Sequence, residues 1–150
     1  MWYIVPPMEL TVRMLADAAR SADGKLYVFG GQWTHIYTST LPTTQNLAIV
    51  LVIKAEYHEA LVNHDLHIEL VDADGQPAGC EVDGQFAVGL PPGTLVGESP
   101  MVQAPIQVPP LRLDRYGRFE WRIAIDGQHM GTIPMTVAPP VGTAPMPGVG

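Results

Sequence analysis

Three of the chain's five histidines and three of its carboxylates fall in one stretch, EYHEALVNHDLH, residues 56–67. Imidazole and carboxylate together are the ingredients of a divalent-metal site or of general acid–base chemistry. The local conformation decides between these and a plain polar surface. On a helix, His64 and His67 would share a face and could share an ion. But HDLHIELV, residues 64–71, alternates: Leu66, Ile68 and Leu70 take one side, Asp65, His67 and Glu69 the other. That is the period of a strand. An odd spacing then sends His64 and His67 to opposite faces, where they cannot bind the same ion. His58, in the preceding turn, could approach His64, but two ligands do not complete a site. The stretch is therefore read as a strand face and a loop, with no metal assigned. The even spacing of Asp65, His67 and Glu69 leaves an adventitious surface ion open.

The other motifs read the same way. Asp72, Asp74 and Gly75 begin like a calcium loop, but position twelve is Asp83, not Glu, and Pro77, Gly79 and Cys80 interrupt the ligand positions. A hairpin turn, with Asp accepting backbone bonds, explains them. Cys80 has no basic neighbour in PAGCEVDG that would lower its pKa, so it reads as a half-buried structural thiol. Gly30-Gly31 lacks the spacing and the lysine of a phosphate loop. No catalytic residue and no cofactor follows from any of these, and the chain is expected not to be an enzyme.

Composition narrows the partners. Net charge is -7, with eight Lys and Arg and no basic run. That balance argues against phosphate neutralisation, the basis of nucleic-acid binding, and no nucleic-acid partner is expected. An anionic membrane surface would repel the chain. The longest apolar run, LAIVLVI at 47–53, is too short to span a bilayer. MWYIVPPM has no positive n-region and is broken by Pro6-Pro7, so no signal peptide is expected. A single cysteine excludes an intrachain disulfide. The expectation is a soluble, non-secreted protein.

These residues must be positioned by strands. RFEWRIAID, 118–126, alternates cleanly, and Asp126-Gly127 then QHMGTIPMTV completes a hairpin signature. Strands are expected at 8–15, 46–56, 64–75 and 84–90. KLYVFGG (25–31) and WTHIYT (33–38) form two more, or one strand with a glycine bulge. Residues 16–25 could hold a short helical turn ended by Asp23-Gly24. The whole predicts an all-β, single-domain antiparallel β-sandwich of seven or eight strands. It is immunoglobulin-like in architecture alone, with Trp33, Trp121, Tyr27 and Phe29 filling the core.

Three parts follow: an N-terminal arm (1–7), the sandwich (8–138) and a Pro/Gly-rich tail (139–150). Residues 91–110 hold six prolines and one charge; the tail holds four prolines and none. Apolar proline-rich segments lose little entropy on docking, so they pack on the parent domain or meet a partner. The partner-contact candidates are Trp2, Tyr3, Ile4, Val5, Leu95, Val96, Met101, Val102, Pro139, Pro140 and Met146. Trp2 and Tyr3 suggest an arm that adds to a neighbouring sheet.

The runs MLADAARSADGKLYVFGGQWTHI, with Pro42 beyond, and GRFEWRIAIDGQHMGTIPMTV resemble a family of small, uncharacterised β-rich proteins of bacteria and bacteriophages. The resemblance covers residues 8–137. It implies a β-rich fold and carries no catalytic residues; the arm and tail lie outside it.

Three function classes remain as expectations. The leading one is a non-enzymatic structural or interaction protein acting through protein–protein contacts. Its most concrete form is a bacteriophage capsid decoration (cement) protein bound to a major capsid protein in the virion, and a homo-oligomer would suit it. The alternative is a bacterial, cytoplasmic module for a small ligand or peptide, with 91–110 as a lid over an aromatic pocket. The third is a hydrolase or metalloenzyme built on the region of His58, His64 and His67.

Overall fold

The computed structural model of the chain describes residues 8–141. Eleven strands follow one another: β1 (Met8–Ala22), β2 (Lys25–Trp33), β3 (His35–Tyr37), β4 (Thr43–Gln45), β5 (Ala48–Ala55), β6 (Asn63–Asp72), β7 (Pro77–Ala87), β8 (Met101–Gln107), β9 (Leu111–Leu113), β10 (Gly117–Ile125) and β11 (Gln128–Ala138). A single 3-10 turn, Tyr57–Glu59, interrupts them. The chain is all-β, as its alternation demands. The count exceeds seven or eight because β4 and β9 are too short to leave a periodic signature, and β8 lies in the proline-rich segment 91–110.

Two sheets face each other. One is ordered β2-β1-β5-β8, the other β3-β11-β10-β6-β7; β4 and β9 form a separate pair. Leu15, Ile49, Leu51 and Ile53 of the first sheet meet Ile68, Leu70, Trp121, Ile123 and Met135 of the second, all fully buried or nearly so. Trp121 sits at the centre, where its indole N–H finds no acceptor among the described residues. Its position rests on ring burial alone.

Asp126-Gly127 forms the expected hairpin, with φ of 51° and 77°. Both residues occupy the left-handed region that a two-residue turn of matching twist requires. Asp23-Gly24 does the same, with φ of 53° and 72°. The expected helical turn over 16–25 is thus absent. Alanine favours helix in isolation, but pairing with β2 overrides that preference. The register slips between Leu15 and Ala16. Beyond that slip the β1–β2 hairpin folds back across β5: Ser21 Oγ donates to Gln103 Oε1 of β8 (2.8 Å), and Gln103 Nε2 donates to the Gly24 carbonyl (3.1 Å). Val50, on β5, is fully buried yet outside the central core, as a strand covered on both faces must be. On β2, Gly30 takes φ of 58°, and a Cβ there would strike the Asp17 carboxylate of β1.

Three further expectations change. Tyr27 and Phe29 are not core residues: they lie on the hairpin's outer side, Phe29 57% exposed, with Arg20 over the Tyr27 ring. β2 runs through Gly30-Gly31 as one strand, and His35–Tyr37 then joins the other sheet. There β3 lies parallel to β11, so the sandwich is not purely antiparallel. The chain crosses between sheets at Thr34 and meets β11 running the same way.

Candidate functional site

β6 carries the histidine-rich stretch, and its two faces hold different chemistry. His64 faces inward with Leu66, Ile68 and Leu70 and is 7% exposed. Its Nε2 donates to the Glu59 carbonyl (2.9 Å), and its Nδ1 lies 2.7 Å from Asp126 Oδ2. Both partners are acceptors, so the doubly protonated ring satisfies both at once and the site favours the cation. Burial opposes that charge and is the largest single influence. The Glu59 carbonyl and the Asp126 carboxylate together outweigh it, and the His64 pKa rises. Asp126 is held low by His64 first and then by the Asp65 N–H. The clamp joins three segments: the 3-10 turn, β6 and the β10–β11 turn. His64 is therefore no part of a solvated face, and it makes these bonds to Glu59 and Asp126, not to His58.

The outward face carries His67. Its Nδ1 donates to Asp83 Oδ1 of β7 (2.6 Å), and its Nε2 stands 3.9 Å from Glu81 Oε1. Asp83 is the main reason the His67 pKa lies above its usual value, against the opposing effect of burial. His67, Glu69 and Glu81 bring one ligand atom each within 4.8 Å of one another. Glu81 reaches this group through the β6–β7 register, in which Glu69 pairs with Glu81 and His67 with Asp83. Spacing along the sequence identifies His67 and Glu69 as neighbours; nothing in it brings in Glu81.

A third surface lies at one end of the sandwich. The β5–β6 loop (56–62) and the β7–β8 loop (88–100) sit side by side: the Leu61 N–H donates to the Val88 carbonyl and the Ala55 N–H to the Pro100 carbonyl, both at 2.9 Å. These loops and the start of β8 expose Leu61, Val62, Leu95, Val96 and Met101 to solvent, Leu95 at 68% and Val96 at 84%. Leu61 also holds φ at 63°. For a leucine that left-handed conformation costs roughly 1–2 kcal/mol.

Among the partner-contact candidates, Leu95, Val96 and Met101 lie on this end. Val102 instead pairs with Ile53 and packs on the core. Pro139 and Pro140 are exposed beyond β11. Trp2, Tyr3, Ile4, Val5 and Met146 lie outside the described residues. Of segment 91–110, residues 101–107 form the edge strand β8, where Pro105 is tolerated.

The remaining motifs serve structure. Asp72 Oδ1 accepts from the Asp74 and Gln76 N–H groups, closing the β6–β7 turn. Cys80 lies half-buried on β7, and burial pushes its thiol pKa up, away from a reactive thiolate. The clefts include one of about 440 Å³ lined by Leu70, Ala78, Leu113, Phe119, Arg112 and Arg115. This cleft touches segment 91–110 at Pro110 alone, and three others on the surface are lined by none of its residues. No helix among the described residues is long and apolar enough to cross a membrane.

Residues 11–138 match a protein family described as "Family of unknown function (DUF6941)". None of the curated proteins matches the chain. Among solved structures, the chain is similar to the Pseudomonas fluorescens alkylpurine DNA glycosylase AlkC bound to DNA containing an abasic site analogue. The identity is 12% and the TM-score 0.36, with 88% of this chain and 30% of that one covered. The chain thus spans under a third of that protein, and a likeness of this size carries nothing over about activity.

Proposed function

The chain belongs to this family of unknown function, and we propose that it works without catalysis, as an interaction protein that docks one end of its sandwich on a protein partner. The exposed apolar end formed by Leu61, Val62, Leu95, Val96 and Met101 carries this reading. Fully burying one such side chain contributes about 1.5–3 kcal/mol. Large apolar side chains left exposed on adjoining loops suit an interaction surface. The left-handed backbone at Leu61, whose N–H donates to the Val88 carbonyl, leaves the leucine side chain in solvent on this end. Met8, where the N-terminal segment joins the domain, pairs with Ala55 at this same end.

In its most concrete form the partner is a viral major capsid protein and the chain decorates the shell. Stabilising a shell requires burial, not chemistry, and an apolar end supplies it. The test is co-sedimentation with particles of the virus that encodes the chain, using wild type and a Leu95→Glu/Val96→Glu variant. Wild type should pellet and the variant should stay in the supernatant. A wild-type chain that does not pellet overturns the capsid form. Equal pelleting of both overturns the role of this end.

A further inference from the structure

We infer that the outer face of β6 and β7 is a binding site for a borderline first-row divalent cation such as Zn²⁺, ligated by His67 Nε2, Glu69 and Glu81. Asp83 acts as the group that orients the imidazole. The site is independent of the apolar end.

Four observations converge. The first is ligand type: one imidazole nitrogen and two carboxylates suit zinc and its neighbours better than calcium, which takes oxygen alone. The second is orientation. Asp83 accepts from His67 Nδ1 at 2.6 Å. In the neutral ring this fixes the proton on Nδ1 and leaves the Nε2 lone pair turned towards Glu81. A carboxylate behind a metal-binding histidine does the same in known zinc sites. The third is distance. His67 Nε2 and Glu81 Oε1 are 3.9 Å apart, too far for a hydrogen bond. Two ligand atoms each about 2.0–2.2 Å from a zinc ion stand no more than about 4.4 Å apart, so this gap accommodates a shared ion. The full set lies within 4.8 Å; ligands of a tetrahedral ion stand about 3.4 Å apart, so side-chain rotations of about an ångström close the site.

The fourth is a repulsion that, among the described residues, only His67, when protonated, offsets. Glu69 and Glu81 stand directly opposite on the ladder, an arrangement that like charges disfavour. Arg122 is Glu69's ladder partner on β10, yet it donates to Glu120 instead (3.0 Å). Among the described residues no ion pair neutralises Glu69. A divalent cation between the two carboxylates removes the repulsion and uses the free Nε2. Three protein ligands on an exposed face also leave room for water or for a donor from elsewhere.

The test is calorimetric titration of the full chain with ZnCl₂ at neutral pH, together with nitrogen NMR of the imidazoles. The expected result is one zinc per chain and a displaced His67 Nε2 resonance. His67→Ala and Glu81→Gln should each weaken binding at least tenfold, Asp83→Asn by about 10- to 100-fold, and His58→Ala not at all. Circular dichroism checks that each variant keeps its β signal, which changes on an exposed face leave intact. Absence of binding overturns the site. So does binding undiminished in His67→Ala and Glu81→Gln, which would place the ion elsewhere. Calcium binding without a zinc response overturns the assigned cation class.

Discussion

His64 and His67 lie three residues apart on one strand, and the sheet separates them completely. His64 is buried between the Glu59 carbonyl and Asp126, with both nitrogens engaged. His67 lies partly exposed and has one nitrogen engaged by Asp83. The inner histidine has no free lone pair to offer an ion or a proton acceptor. The outer one does. Residue type therefore says little about role; the face of the strand and the number of acceptors around the ring decide it.

The sharpest way to break that contrast is to remove each ring in turn. His64→Ala should cost about 2–4 kcal/mol in urea unfolding, because it empties a packed site and leaves the Glu59 carbonyl and Asp126 without their partner. Asp126→Asn should cost less, about 1–2 kcal/mol. The amide oxygen can still accept from the Asp65 N–H, but the imidazolium loses its counter-charge. The pH dependence sharpens the contrast next. The folded pKa of His64 is raised, so its contribution is complete below the ordinary histidine value, about 6.5, and is lost as pH rises through the folded value. Asp126 is depressed, so its contribution is complete above the ordinary value, about 3.9, and is lost as pH falls through its folded value. The unfolding midpoint should therefore peak near pH 5–6 and fall towards pH 9. His67 shifts in the same direction, so the comparison is best made in a His67→Gln background, where adding His64→Gln should flatten the fall. That fall should be smaller than the loss in His64→Ala, since a neutral ring still fills its site and donates to Glu59. Least of all, His67→Ala without metal should change stability by no more than about 0.5 kcal/mol. Equal losses at His64 and His67 would erase the distinction between the two faces.

The two faces of β6 are legible in HDLHIELV because period-2 alternation is local. The Asp126-Gly127 turn is legible for the same reason. What the outer face gathers is not, since Glu81 arrives by a register set through the β6–β7 turn and the pairing slips between Glu69 and Val71. The clamp on His64 is hidden for a stronger reason: Asp126 lies more than sixty residues away. Residues 16–25 mislead because their alanines report helix preference, whereas their conformation is imposed by β2 and by the reach across to Gln103. Tyr27 and Phe29 mislead because aromatic type predicts burial, but the hairpin they sit on has only one covered side.

The parallel pairing of β3 with β11 has a kinetic consequence. His35 and Thr136 lie side by side, although almost the whole domain separates them along the chain. Closing so long a loop comes before any contact that rewards it. Topologies dominated by such distant pairings fold in roughly milliseconds to seconds, well behind local hairpins such as β10–β11. During synthesis β3 emerges about a hundred residues before its partner and waits for it. Until then it is an open edge, and in that interval the nascent chain is most exposed to pairing with the wrong strand.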